Sequence, residues 1–211
     1  MKYAIVTGYS SGIGKSICEE LIKSDYKVIK LKTRLDNTKE LEIEVNDILN
    51  EYNIYLLVNC AGLGIFQPHE EISILKIKEL IDINLTAPII LSKLVLRSLK
   101  ITKGNIINIT SIEATKHSKF SALYTSTKSG LRDFSLCLFE ELRKSGVGVT
   151  SINPDMTVTN FFDDLQFEPS TKEDTFLLPQ TIAKTVMDVL NANAVITDIT
   201  VRPQKFELRK K

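Results

Sequence analysis

Two stretches of the chain carry the pattern Tyr-x-x-x-Lys: YKVIK, Tyr26 to Lys30, and YTSTK, Tyr124 to Lys128. A tyrosine hydroxyl has a pKa of about 10 and keeps its proton at neutral pH. An ammonium held beside the phenol favours the tyrosinate, and a drop of two to three pKa units corresponds to about 3–4 kcal/mol. Such a phenol can give a proton to a carbonyl oxygen and take it back from an alcohol. The element that carries the pair decides whether the two side chains meet. In a strand, residues four apart lie about 13 Å apart on one face without touching. In a helix they are neighbours on one face. YKVIK is short, apolar and β-branched and reads as a strand, whereas YTSTK opens a helical pattern with Leu131, Phe134, Leu138 and Leu142 at spacings of three and four. Tyr124 and Lys128 are therefore the candidate pair, and Tyr26 and Lys30 a decoy.

A second chemical feature is TGYSSGIG, Thr7 to Gly14, set between an apolar run and an amphipathic segment, Ile13 to Ser24. Glycine tolerates positive φ in a tight reversal and leaves room for a phosphate close to the backbone. Amide groups at the start of the following helix point at such an anion. Gly8, Ser10, Ser11, Gly12, Ile13 and Gly14 are the candidate phosphate-facing residues.

These residues need a scaffold, and the apolar pattern supplies one. Short β-branched runs occur at Tyr3–Thr7, Lys27–Leu31, Tyr55–Asn59, Asn105–Thr110, Gly148–Asn153 and Ile196–Arg202. Longer segments of helical period separate them, among them Ile13–Ser24, Ala87–Lys100 and Ala122–Lys144. That alternation predicts a parallel sheet with helices on both faces. With 211 residues and no repeat, linker or low-complexity run, the expectation is a single domain, 1–211.

A net charge of +1 gives no long-range pull towards nucleic acid or an acidic membrane, so neither is expected as a partner. No apolar run approaches the roughly 20 residues of a membrane span. The start, MKYAIVTG, enters a strand at once, which leaves no room for a signal peptide and makes the cytoplasm the expected compartment. Cys18, Cys60 and Cys137 have no metal or redox spacing; no metal site is expected. The basic stretch FELRKK reads as a solvated tail.

The spacing T-G-x-x-x-G-x-G resembles the short-chain dehydrogenase/reductase family, and further stretches match in order along essentially the whole chain. They are NCAG (Asn59 to Gly62), NLTA from Asn84, Ser111 after a strand, Tyr124 thirteen residues later, Lys128, and ITDITVRP near the end. The resemblance implies a Rossmann-like doubly wound sheet of about seven strands, in the order 3-2-1-4-5-6-7. It implies an oxidoreductase moving hydride between a nicotinamide and a carbonyl or secondary alcohol. Tyr124 would be the acid/base, Ser111 a second hydrogen-bond donor to the substrate oxygen, and Lys128 the group that tunes Tyr124 and binds the nicotinamide ribose. Asn84 would hold a water that links the lysine to solvent. Asn59, Ala61, Gly62, Pro154, Thr157 and Thr159 fall at cofactor positions. The helices from Ala87 and Ala122 resemble those through which members form dimers or tetramers. The alternative from another class is an NAD(P)-binding sensor of the same fold with weak catalysis or none.

Cofactor choice rests on the residues after the second strand, where an acidic side chain suits a ribose 2′-hydroxyl. Here the chain reads VIKLKTRLDN, which places Lys32 at that position with Arg34 beside it. A basic pair suits a 2′-phosphate, so NADP(H) is favoured and NAD(H) is the alternative. The resemblance is imperfect at three places. The stretch between the second and third family strands is short enough to lose a helix. Glu44 stands where an aspartate after the third strand would meet the adenine, and Asp155 replaces a glycine after Pro154. Residues 160–178 carry four phenylalanines, five acidic residues and one lysine, and read as a substrate lid. His117 is a candidate at the pocket mouth.

Overall fold

A computed structural model describes residues 1–211. The chain runs β1 (Lys2–Val6), α1 (Gly12–Lys23), β2 (Tyr26–Ile29), α2 (Thr38–Glu51), β3 (Ile54–Asn59), α3 (Ile74–Ile81), α4 (Ala87–Thr102) and β4 (Asn105–Ile109). It continues through α5 (Ala122–Leu142), β5 (Gly148–Pro154), β6 (Phe167–Pro169), α6 (Pro179–Asn191), β7 (Asp198–Val201) and β8 (Leu208–Lys210). Six strands form one parallel sheet in the order β2-β1-β3-β4-β5-β7, and β6 and β8 pair separately. The expected Rossmann-like doubly wound α/β architecture is what the chain adopts.

The period-two pleat sends alternate residues to opposite faces. Ala4, Val6, Leu56, Val58, Ile107 and Ile152 pack beneath α1 and α6, while Ile5, Leu57, Ile106 and Val149 pack beneath α2, α4 and α5. Both faces are buried, which is why these strands read as continuous apolar runs. Strand order reverses direction at β1 and β3, so the carboxyl ends of β1, β3, β4 and β5 open onto one crevice.

Two expectations need correction. The sheet has six strands, because the extra strand expected before YLLVN does not form; the segment is α2, the helix expected to be lost. Leu41, Ile43 and Val45 alternate like a strand, yet Leu41 and Val45 are fully buried while Ile43 is 63% exposed. Spacings of four and three through Leu41, Val45 and Ile48 give a helical face instead, and Asn37 caps it by accepting the Glu40 amide. Glu44 therefore meets no adenine position after a strand. From α2 its carboxylate accepts the amides of Lys32 at 2.7 Å and Thr33 at 2.9 Å. The second correction is the basic tail, which is β8, paired antiparallel with β6.

Between α3 and α4 the helix widens into a π turn, Asp82–Thr86, where the Ala87 amide bonds to the Asp82 carbonyl. Pro88 explains it. Proline has no N–H for the carbonyl four residues back, that of Asn84, and its ring crowds that carbonyl.

Candidate active site

The glycine turn is fastened to the end of β3 by one side chain. Thr7 Oγ1 accepts the amides of Cys60 and Ala61 at 3.0 and 3.1 Å. Gly8 has a φ of +69°, and a Cβ there would lie 3.0 Å from Ala61 Cα. A Cβ on Gly14 would sit 2.2 Å from the Gly8 carbonyl oxygen, so α1 rests directly on the turn. Ser11 is the helix cap but its hydroxyl caps nothing, and the first turn contains no acidic residue. The first amides of α1 thus keep their positive end for an anion. Ser10 and Ser11 are exposed, Gly12 and Ile13 half-buried. Across the crevice, Thr159 Cγ2 stands 3.0 Å from where a Gly12 Cβ would be. Tyr9 reaches the other way, its hydroxyl donating to the Leu31 carbonyl at 3.3 Å, which ties the backbone just before Lys32 to the turn, and Lys30 lies over the Tyr9 ring at 5.4 Å. These features suit an anionic group such as a phosphate: glycines where backbone approach is closest, and uncapped amides at the start of α1.

Arg34 is not free. Its Nε and Nη2 donate to the two carboxylate oxygens of Asp36 at 3.1 and 2.9 Å, while Lys32 is exposed.

Tyr124, Lys128, Ser111 and Asn84 come together at the ends of β3 and β4. Tyr124 and Lys128 lie one turn apart on α5, 5% and 3% exposed. The Lys128 ammonium donates to the Ile109 carbonyl at 3.0 Å and lies 6.0 Å from the centre of the Tyr124 ring. Burial brings the Lys128 pKa down to about 8. Burial also raises the Tyr124 phenol above its ordinary range; the Ser111 hydroxyl pulls the other way and the Glu113 carboxylate adds to the rise. The lowering expected from a neighbouring ammonium is therefore not what this site gives: desolvation outweighs the Ser111 hydrogen bond, and the Lys128 ammonium is turned to the Ile109 carbonyl.

Ser111 follows β4 and caps a short 3₁₀ turn, accepting the Glu113 amide at 3.2 Å. Asn84 is fully buried, and its side chain grips the backbone after NCAG: Nδ2 donates to the Leu63 carbonyl at 2.9 Å and Oδ1 accepts the Leu63 amide at 2.8 Å. Nδ2 also donates to Thr127 Oγ1 at 3.2 Å, tying the π turn to α5. Gly62 sits against both groups, since a Cβ there would be 3.1 Å from Lys128 Nζ and 3.3 Å from Asn84 Oδ1. Asn59 is buried; its amide donates to Asn108 Oδ1 at 2.8 Å and its own carbonyl oxygen has no partner.

Past β5, Pro154 ends the strand and Asp155 keeps a negative φ, so no glycine-like backbone is required there. The Asp155 carboxylate is buried, caps the Met156 amide at 2.9 Å and accepts Arg202 Nε at 2.9 Å. The carboxylate that stands in place of the family glycine is thus paired. Thr157 Oγ1 donates to the Asp155 carbonyl at 2.8 Å, and Thr159 Oγ1 accepts the Phe161 amide at 3.3 Å. Behind the site, Arg132 on α5 forks onto Asp198 of β7, which also accepts Asn153 Nδ2 at 2.7 Å. Asn153 in turn accepts the Thr110 hydroxyl, next to Ser111.

The walls combine Phe66, which the sequence did not mark, with phenylalanines of the segment 160–178 that reads as a lid. Phe66 and Phe161 pack on the Tyr124 ring, with centroids at 5.0 and 5.8 Å, and Phe167 and Phe162 stack behind them. Nothing in its spacing marks Phe66, four residues past Gly62. Glu113 is buried beside Tyr124 and accepts Ser118 Oγ at 2.9 Å. His117 is exposed to solvent. The decoy stays apart: Lys2 lies over the Tyr26 ring at 5.4 Å, and Lys30 over Tyr9 at 5.4 Å.

A doubly wound parallel sheet with its chemistry at the carboxyl ends of the strands defines a Rossmann-like α/β protein. Residues 2–55 and 45–169 match the family model described as short chain dehydrogenase. An uncharacterized oxidoreductase of Staphylococcus saprophyticus is 30% identical over 231 residues, covering 96% of this chain and 97% of the relative. Another from Staphylococcus haemolyticus is 29% identical over 228 residues, covering 96% and 97%. The chain belongs to the short-chain dehydrogenase/reductase family, a family of oxidoreductases. In fold it is similar to an alcohol dehydrogenase from the archaeon Thermococcus sibiricus complexed with 5-hydroxy-NADP, with a TM-score of 0.87 at 24% identity, covering 98% of this chain and 99% of that one. It is similar too to a 4-hydroxyisoleucine dehydrogenase complexed with NADH, with a TM-score of 0.85 at 23% identity, covering 96% and 97%. No helix is long and apolar enough to cross a membrane.

Proposed function

We propose that this chain is an NADP(H)-dependent carbonyl reductase or alcohol dehydrogenase for a substrate whose non-reacting part is apolar. The observation that carries the reading is a buried Tyr124 hydroxyl flanked by Ser111, one helical turn from Lys128 and walled by Phe66 and Phe161. The nicotinamide supplies hydride in one direction and accepts it in the other. Tyr124 gives its proton to the oxygen that gains charge, and takes it back in oxidation. Ser111 offers a second hydrogen bond to that oxygen. Lys128, with a pKa near 8, keeps a positive charge next to the tyrosine at neutral pH and restrains the pKa of the tyrosinate left after transfer. Asn84 holds the Leu63 backbone and α5 in register, and its carbonyl, without a donor from Pro88, is the acceptor suited to a relay water.

Lys32 supports NADP(H), being an exposed ammonium on the segment that Tyr9 ties to the glycine turn. The Arg34–Asp36 pair argues that Lys32 carries more of the 2′-phosphate than Arg34 does. The replacement of a family glycine by Asp155 would favour a non-catalytic sensor if it left a bare charge at the site, and its pairing with Arg202 argues against that. Pairing of copies through α4 and α5 is part of the proposal, and light scattering tests it. The activity test is oxidation of NADPH, and separately NADH, by a panel of aliphatic and aryl ketones, aldehydes and oxoacyl thioesters. Turnover of apolar carbonyls with NADPH preferred supports the reading. Nucleotide binding without turnover on any member of the panel returns the sensor.

A further inference from the structure

The chain leaves the neighbouring strands β5 and β7 side by side, and the two departing segments stay together. At their base the Asp155 amide bonds to the Val201 carbonyl at 2.9 Å, and Arg202 pairs with Asp155. Further out, β6 and β8 pair with Phe167 opposite Lys210 and Pro169 opposite Leu208. The Lys211 amide bonds to the Gln166 carbonyl at 3.0 Å, and its ammonium donates to the carbonyls of Phe162 and Asp163. Arg209 pairs with Glu168, Lys172 with Glu207 at 2.8 Å, and Lys205 with Asp174 at 3.3 Å. The charges are complementary: residues 160–178 have five acids and one lysine, while 202–211 have five basic residues and one acid.

The opposite side of this double layer is aromatic and ends on the tyrosine. Phe167 meets Phe66 at 5.1 Å and Phe162 at 5.8 Å, and Phe161 and Phe66 cover Tyr124. Phe206 accepts the Lys116 ammonium over its ring at 5.4 Å, joining the layer to the loop between Ser111 and Tyr124.

We infer that residues 202–211 are a strap that holds Phe161 over Tyr124, with Phe162 and Phe167 packed behind it and with Arg209 and Lys211 as positioning residues that set substrate entry and product release. A pair of three-residue strands and exposed ion pairs is a weak fastening, suited to opening and closing at equilibrium. The catalytic consequence rests on the reading of Tyr124 given above; the mechanical one does not.

Hydrogen exchange on the full chain tests the mechanical part without any substrate. In the double variant Arg209→Glu with Lys211→Ala, amides of residues 162–170 should exchange about 5- to 10-fold faster than in wild type, while β1, β3 and β4 keep their rates. The charge swap Glu168→Arg with Arg209→Glu should restore slow exchange. In steady state the double variant should raise KM several-fold with kcat equal to or above wild type. Unchanged exchange at 162–170, or acceleration spread evenly over the sheet, would overturn the strap. Faster exchange with KM unchanged would overturn its role in access. If exchange responds as expected but no substrate is turned over, the strap stands and the reading of Tyr124 falls.

Discussion

Replacing Lys128 by methionine separates what the lysine costs the fold from what it gives the site. The side chain is almost fully buried and its ammonium donates to the Ile109 carbonyl. Burial lowers its pKa from 10.5 to about 8. At about 1.36 kcal/mol per pKa unit, carrying the charge at pH 7 costs the folded state roughly 3 kcal/mol relative to the unfolded chain. The folded pKa lies below the unfolded one, so the unfolded chain binds the proton more tightly. The penalty is therefore complete below about pH 8 and fades as pH rises towards 10.5. Tyr124, with its pKa raised, acts in the opposite sense, but only above pH 10. Methionine fills similar space without charge and forfeits one hydrogen bond from a charged donor, worth about 1.5–3 kcal/mol, leaving a net gain of up to about 2 kcal/mol. For a chain of this size that is up to about 4–8 °C in melting temperature at pH 7. The assay is far-ultraviolet melting of both proteins without nucleotide at several pH values from 7 to 9.5, alongside NADPH turnover. Wild type should gain stability across that range, the variant should start higher and stay flat, and its turnover should fall by about 100-fold or more. A variant that melts below wild type at pH 7, or a flat wild-type profile, would refute the argument from burial.

Gly14→Ala should destabilise the chain by about 2–3 kcal/mol, because its Cβ meets the Gly8 carbonyl at 2.2 Å, and weaken dinucleotide binding at least 10-fold; urea unfolding and nucleotide fluorescence check both. Lys32→Ala should raise the Kd for NADPH about 5- to 10-fold and leave NADH unchanged, and an equal loss for both nucleotides would remove Lys32 from the 2′-phosphate. Arg132→Leu leaves Asp198 without its guanidinium and should cost about 1–2 kcal/mol in denaturant titration, more than the exposed pair Arg143–Glu140 would cost.

The candidate pair was legible because local spacing and ordered motifs agree: i,i+4 on a helix brings Tyr124 and Lys128 onto one face, and a tight turn at Gly8 and close approach at Gly14 demand glycine. Where one pattern serves two elements, the sequence misleads. Leu41, Ile43 and Val45 alternate like a strand and also fit a helix, and only the sheet edge, which takes no further strand beyond β2, decides between them. Long-range pairs were invisible for a similar reason. Arg202 with Asp155 and Arg209 with Glu168 are far apart in the chain, and nothing local says that a basic tail will find an acidic segment. Tyr124 shows the same limit in its electrostatics. The sequence places a lysine near it, but the desolvation that wins comes from burial and from Phe66 and Phe161, which spacing alone does not bring to the phenol.

The central claim is that the Tyr124 hydroxyl moves the proton, and Tyr124→Phe tests it most directly, since it keeps the ring between Phe66 and Phe161 and removes only the oxygen. NADPH oxidation with the best apolar carbonyl should fall by about 10²- to 10⁴-fold, with nucleotide affinity and melting temperature close to wild type. Equal rates in the two proteins would contradict the account.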